Sequence, residues 1–269
     1  MRMGLGLGLT AAQSSGGSVD PDAAIAAILL GTPDFAIDYT NTANLFQTAG
    51  GTGAVTAPAD PVGHVNSQWG NTAYSWQQST SGSRPAYDGS GVAYDGIASH
   101  FNAFSSPGFT NTAPALSTCH RLEVASLATA MYVFGWSNSV VTQSIHFLRI
   151  NTDGSINFSV RRLNGGTQSF ANSAAGIVTA GVPITIFTEA DYNGTGVARV
   201  WADGALVATQ AIADGVGLTS ATDAARMRDG ADLANTPAFY FSGTKFKALG
   251  ARRTFSDSDR ATIEAWAVA

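Results

Sequence analysis

RVWADGALV, residues 199–207, decides the fold class: a short extended run enters Asp203-Gly204 and resumes beyond it. Asp-Gly between alternating apolar positions is the strongest local signal for a two-residue hairpin, because a type I′ turn needs positive φ at both central residues and Gly accepts it without steric cost. The stretch is therefore the corner of a sheet and not a catalytic or binding loop. FLRINTDGSINFSV, residues 147–160, repeats the signature at Asp153-Gly154. Phe147, Arg149 and Asn151 face one way and Leu148 and Ile150 the other; after the turn Ile156, Phe158 and Val160 alternate with Asn157, Ser159 and Arg161. A period of two marks antiparallel strands with one buried face.

Working outward, the same pattern predicts strands at Val92–Tyr94, Ala98–Phe104, His120–Ala128, Ala130–Trp136, Ser144–Ile150, Ser155–Arg162 and Thr167–Ala171. It continues through Pro183–Glu189, Ala198–Ala202, Ala205–Ala211, Ala238–Phe241 and Thr244–Ala251. Short strands separated by Gly, Asn and Asp, with no amphipathic helices between them, indicate an antiparallel sandwich or jelly roll and exclude a βαβ sheet. Before them, from Asp34 to Pro85, the chain is rich in Thr, Gly, Asn and Pro and reads as irregular, pinned to the body by Phe35, Tyr39, Phe46, Trp69, Tyr74 and Trp76.

Two helices flank this body. VDPDAAIAAILLG places Asp20 at an N-cap, Pro21 at the first helical position, Ile25, Ile28 and Leu29 on one apolar stripe and Gly31 at the stop. At the other end Ser256 and Asp259 have capping-box spacing, and Ile263, Trp266 and Ala267 form the stripe of a helix that covers a sheet edge. The expected division is an N-terminal arm and helix over 1–31, an attachment segment using Ile25, Ile28 and Leu29, followed by the sandwich with its C-terminal helix over 32–269.

The 269 residues can bury a sizeable core as one domain. Charged residues are only 12%, roughly half the ordinary share, and the net charge is -5. The 14 basic residues are scattered and form no stripe for phosphates, so no nucleic-acid partner is expected. No apolar run approaches the roughly 18 residues of a membrane span. Cys119 is the single cysteine, which rules out an intramolecular disulfide and a multi-cysteine metal site.

Taken in chain order, several segments resemble the concanavalin A-like jelly roll of the laminin-G type found in bacteriophage and prophage virion proteins. They are MGLGLGL (3–9), VGHVNSQWGNTAYSWQQSTSGSRPAY (62–87), VAYDGIASHFNAF (92–104), RVWADGALV (199–207) and FKALGARRTFSDSDRATIEAWAVA (246–269). Tyr94-Asp95-Gly96 stands where that family carries a phenylalanine-aspartate-glycine entry strand, but the acidic residue that often follows is absent, with Ala98, Ser99 and His100 in its place. The resemblance implies an all-β antiparallel jelly-roll sandwich with short terminal helices. It also implies a non-enzymatic structural protein displayed on the tail or capsid surface of a virion, with other virion proteins as partners. The charge-poor composition adds self-association into a homo-oligomer.

The same fold hosts lectins and glycoside hydrolases, so the function must be sought in particular residues. The glutamates are Glu123, Glu189 and Glu264. Glu189 and Asp191 share one face of a strand, and a retaining glycosidase needs two carboxyls about 5 Å apart. In the laminarinase-like enzymes of this fold the strand reads glutamate-x-aspartate-x-glutamate, and here Asn193 stands at the third position, so the acid/base is missing. Cys119 and His120 point to opposite faces of a strand, and His64, His100 and His146 lack metal-ligand spacing. No cofactor is expected: the resemblance allows a calcium ion at loop rims, but Asp191, Asp214, Asp223, Asp229 and Asp232 read as turn residues. Trp136 and Trp201 lie in or beside strands and read as core. The aromatic candidates for a glycan or partner surface are Trp69, Tyr74 and Trp76, which gives a carbohydrate-binding module for host-surface polysaccharide as the alternative function.

Overall fold

The computed structural model describes residues 20–29, 34–70, 74–103, 111–138, 145–220, 225–232 and 238–269. In chain order the elements begin with α1 (Pro21–Ile28), β1 (Phe35–Asp38), β2 (Leu45–Phe46), β3 (His64–Asn66), β4 (Trp69–Gly70), β5 (Ser75–Gln77) and β6 (Ala86–Tyr87). There follow β7 (Val92–Asp95), β8 (Phe101–Ala103), β9 (Ala115–Val124), β10 (Met131–Asn138), β11 (Ile145–Ile150), β12 (Ile156–Arg161) and β13 (Ser169–Asn172). The chain closes with β14 (Ile184–Asp191), β15 (Val197–Ala202), β16 (Ala205–Ala211), β17 (Ala225–Asp229), β18 (Ser242–Ala251) and α2 (Asp257–Val268).

These strands form an antiparallel jelly-roll sandwich. One sheet runs β16-β15-β14-β9-β18-β1-β4, with β7 pairing the first half of β18 and β6 pairing β7; the other runs β13-β12-β11-β10-β17-β8-β5-β3-β2. Between them lies an apolar core in which Phe35, Trp76, Phe134 and Trp136 meet edge to face, with ring centroids 4.8 to 6.4 Å apart. A third layer covers the outer face of the first sheet. There Ile25 and Leu29 of α1 and Ile263 and Trp266 of α2 pack on Ala36, Cys119, Phe187 and Leu249.

The turn chemistry is as expected at one hairpin and different at the other. Asp203 (φ 45°) and Gly204 (φ 81°) are both left-handed, and Ala202 pairs with Ala205 across a two-residue turn. At the other hairpin only Gly154 (φ 74°) is left-handed, and Asn151 N donates to Ser155 O at 2.9 Å around a three-residue loop. Gly is obligatory there because a Cβ would lie 2.4 Å from Val178 O. Both helix caps form: the Asp20 side chain accepts from Asp22 N, and Ser256 Oγ accepts from Asp259 N.

Several expectations are corrected. The segment read as irregular contains β1, an interior strand between β18 and β4; its sequence FAID does not alternate because both faces are covered, Phe35 and Ile37 by the core, Ala36 by the helices. β17 was not expected, because its inward positions include the acidic Asp229. β9 begins at Ala115, earlier than the expected His120, since Ser117 and Thr118 are strand residues whose hydroxyls are satisfied by Arg253 O and Thr188 Oγ1. Residues 238–241 are not a strand. Phe239 sits at φ 50°, and its carbonyl accepts from Tyr132 N at 2.9 Å. The expected attachment residues Ile25 and Leu29 are fully buried against the chain's own α2 and sheet, with Ile28 packed at the margin of that cluster.

Candidate functional site

The aromatics singled out in the sequence do not assemble a surface. Trp76 is 2% exposed and wedged between Phe35 and Phe134. Tyr74 packs on Phe35 at 5.7 Å, and Trp69 stands edge-on to Trp266 at 5.7 Å. The small void between Tyr74, Trp76 and Met227 measures about 10 Å³, the scale of one water and no larger ligand. Their shared signal, aromatics in a loop-rich region, reflects how that region is nailed to the sandwich.

The carboxylates are likewise committed to structure. Glu189 lies beside Arg199 at 3.1 Å and accepts from Phe255 N at 3.2 Å; burial raises its carboxyl above the ordinary value against the pull of these donors. Asp191 caps the following turn, accepting from Gly194 N and Thr195 N at 2.9 and 2.7 Å. Cys119 faces the helices, where burial pushes its thiol far up, and His120 faces Phe134 in the core, so the adjacent pair does point to opposite sides of the sheet. Among the described residues no three of His, Cys, Asp or Glu gather at a metal-holding distance.

What the structure does assemble is a cleft at one end of the sandwich, where three connections converge. They are the β7–β8 turn, the β9–β10 loop and residues 238–241 entering β18. Backbone bonds knit them together: Gly96 N to Phe241 O (3.0 Å), Ala125 N to Ser242 O (2.9 Å) and Phe241 N to Gly230 O (2.8 Å). Gly96, at φ 72°, must lack a side chain because a Cβ would come within 2.8 Å of Ser242 Cβ. The resulting open cleft of about 370 Å³ is lined by Gly96, Thr129, Ala130, Phe239 and Tyr240.

Phe239 is the central residue. The residue is 58% exposed although it is aromatic, and its backbone occupies the left-handed region that a bulky residue adopts only under constraint. Tyr132 N supplies that constraint through the Phe239 carbonyl, and the Tyr132 ring lies 6.2 Å from that of Phe239 and 5.7 Å from Phe147, so that three aromatics continue from the rim onto the sheet. Tyr240 leans on His100 at 5.8 Å, whose imidazole is held below its ordinary value chiefly by burial. Next to Gly96 in the chain, Ile97 is 77% exposed, presented by a turn whose three successive amides, Ile97, Ala98 and Ser99, all donate to Asp95 Oδ1 at 2.9 Å. Desolvation pushes the Asp95 carboxyl up, but these donors outweigh it and hold it below the usual carboxylate value. The cleft thus presents an exposed aromatic residue on a loop whose backbone the sheet holds in a constrained conformation.

No protein-family model and no curated protein sequence matches this chain. Among solved structures it is similar to the Ruminococcus gnavus IT-sialidase CBM40 bound to alpha2,3 sialyllactose, with 18% identity, a TM-score of 0.45, and 56% of this chain and 84% of that one covered. It is also similar to the NanB sialidase from Streptococcus pneumoniae, at 12% identity and a TM-score of 0.46, covering 56% of this chain and 24% of the sialidase. A heptameric SAP-like pentraxin from Limulus polyphemus matches at 16% identity and a TM-score of 0.43, covering 61% of this chain and 75% of that one.

The cleft escaped the sequence reading because AFYF is an apolar, aromatic-rich run of the kind found in strands. Three aromatics within four residues, following a Pro and preceding Ser-Gly, is the one local signal that could have marked a loop presenting rings.

Proposed function

We propose that this chain is a non-catalytic binding module that holds a saccharide in the cleft around Phe239. The observation that carries the reading is the exposed, conformationally constrained Phe239 ring over an open cleft of about 370 Å³. A pyranose ring offers an apolar C–H face and a belt of hydroxyls. The Phe239 ring and Ala130 supply apolar contact, Thr129 and Tyr240 supply hydroxyls, and no cluster of charge is needed. The buried and hydrogen-bonded state of Glu189 and the turn-capping role of Asp191 support the non-catalytic part of the reading. Glycan-array screening followed by calorimetric titration tests it: a sugar is expected to bind, and Phe239→Ala to weaken it at least about tenfold, a change of about 1.4 kcal/mol. No binding at millimolar sugar, or full binding by the variant, overturns the reading.

A second reading, a structural protein displayed on a bacteriophage particle, is supported by the chain order of the resembling segments and by the uncharged edge strand β16, ALVATQA, which suits contact with neighbouring copies. The two are compatible, since a virion surface is a place where host polysaccharide is met. A density map of assembled particles tests this second reading: the sandwich on the tail or capsid surface is its expected outcome.

A further inference from the structure

The interior of the sandwich holds a cluster of ionisable groups that the binding cleft does not use. Lys245 of β18 and Asp229 of β17 approach from opposite sheets, both side chains wholly buried, with the ammonium in direct contact with Asp229 Oδ1. The other carboxylate oxygen, Oδ2, accepts from the hydroxyls of both Tyr39 (2.9 Å) and Tyr94. Lys245 Nζ also donates to Val133 O at 2.5 Å and lies 5.0 Å from the Tyr94 ring centroid and 5.2 Å from that of Phe241. Gly230 permits this enclosure, because a Cβ there would meet the Tyr94 ring at 2.4 Å.

We infer that Lys245 and Asp229 are a site of spontaneous intramolecular amide formation, which ties β17 to β18 covalently across the core. Three observations carry this. Isolating an ammonium and a carboxylate together in an apolar interior removes the solvation that keeps them ionised, so transfer of one proton from Nζ to Oδ1 gives a neutral amine beside a neutral acid. The fold holds the two groups in contact, which makes the condensation unimolecular. The two tyrosine hydroxyls, fixed on Oδ2, are placed where negative charge develops when the amine attacks. Burial lowers the basicity of Lys245 against the pull of Asp229, and raises both tyrosines far above their ordinary value, so they remain donors.

The step balances without a co-reactant. Nζ, as the free amine, bonds to Asp229 Cγ; Oδ2 carries the negative charge under the two hydroxyls; a second proton passes from nitrogen to Oδ1; and the Cγ–Oδ1 bond breaks to release water as Oδ2 regains its double bond. Two of the three ammonium protons leave in the water and one stays on the amide.

Peptide mapping of the full chain tests this. Asp229 follows Arg228, and Lys245 is followed by Phe246-Lys247. If the amide is present, trypsin cannot cut after Lys245, and a peptide spanning 229–247 appears lighter by one water, with fragmentation failing inside the ring 229–245. The adjacent Asp229-Gly230 pair can lose water in another way, as a succinimide, but then trypsin cuts after Lys245 and the peptide 229–245 carries the deficit. Either that result or a 229–245 peptide of full mass overturns the inference. In intact-mass analysis under denaturing conditions, Lys245→Met is expected to abolish the deficit of one water; a deficit that survives the substitution also overturns it.

Discussion

Phe239 and Trp76 show how two aromatic residues of similar sequence context acquire opposite roles. Trp76 on β5 lies within van der Waals reach of the core rings and is 2% exposed, so Trp76→Ala is expected to cost about 3–5 kcal/mol in denaturant-induced unfolding while leaving the cleft's own residues in place. Phe239 contributes little to the core and carries a left-handed backbone. Phe239→Gly is therefore expected to hold or raise stability by up to about 1 kcal/mol while abolishing saccharide binding, a combination that separates a strained functional residue from a structural one. A loss of more than about 1 kcal/mol in unfolding experiments would instead make Phe239 part of the packing. The sequence could not distinguish the two. What sets Phe239 apart is a hydrogen bond from Tyr132, more than a hundred positions away in the chain, and such a contact leaves no trace in local periodicity.

At the scale of elements, legibility follows the range of the interactions that define each one. The Asp203-Gly204 hairpin and both helix caps depend on neighbours within a few residues, and the sequence reading matches the structure there. β1 and β17 depend on remote partners: β1 is held by β18, and β17 by β10 and β8. Their sequences, FAID and ARMRD, lack alternation, the first because it is covered on both faces and the second because an acidic residue points inward. α1 was legible as a helix but not in its role. Its stripe could serve a partner or the chain's own sheet, and the structure buries Ile25 and Leu29 beside Trp266, with Trp266 Nε1 donating to Asp22 at 3.2 Å. Ile25→Ala or Leu29→Ala is accordingly expected to destabilise the whole sandwich by about 2 kcal/mol or more, measured by chemical denaturation. Unchanged stability in both variants would return the stripe to an attachment role.

For the whole molecule, the unusual property is how much polar chemistry the sandwich encloses. His120 and His146 lie between the sheets, fully buried among Phe134, Trp136 and Phe158, and His146 Nε2 is 3.4 Å from Thr188 Oγ1. Burial holds the His146 imidazole down at about 3; His120 is held well below its ordinary value by burial first, then by Lys245 and His146. Both rings are therefore neutral in the folded chain, whereas an unfolded histidine takes up a proton near pH 6.5. Below that value the unfolded state binds more protons than the folded one, so stability is full above about pH 6.5 and falls as the pH drops toward the folded values. Within that window each histidine contributes a slope of about 1.4 kcal/mol per pH unit. Glu189, whose carboxyl is raised by burial, works in the opposite sense close to its own titration, and the depressed carboxylates such as Asp95 act only below the usual aspartate range. The interval from pH 6.5 to 5 thus belongs mainly to these two histidines, joined by His100, whose imidazole burial also holds below its ordinary value. Thermal unfolding followed across it is expected to show a steep loss of stability on acidification, and His146→Phe, which keeps an aromatic ring against Trp136 and Phe158, is expected to reduce the slope by about a third to a half. An unchanged slope in that variant would mean that His146 is already charged in the folded chain, which its burial between Trp136 and Phe158, with only the neutral Thr188 hydroxyl beside Nε2, opposes.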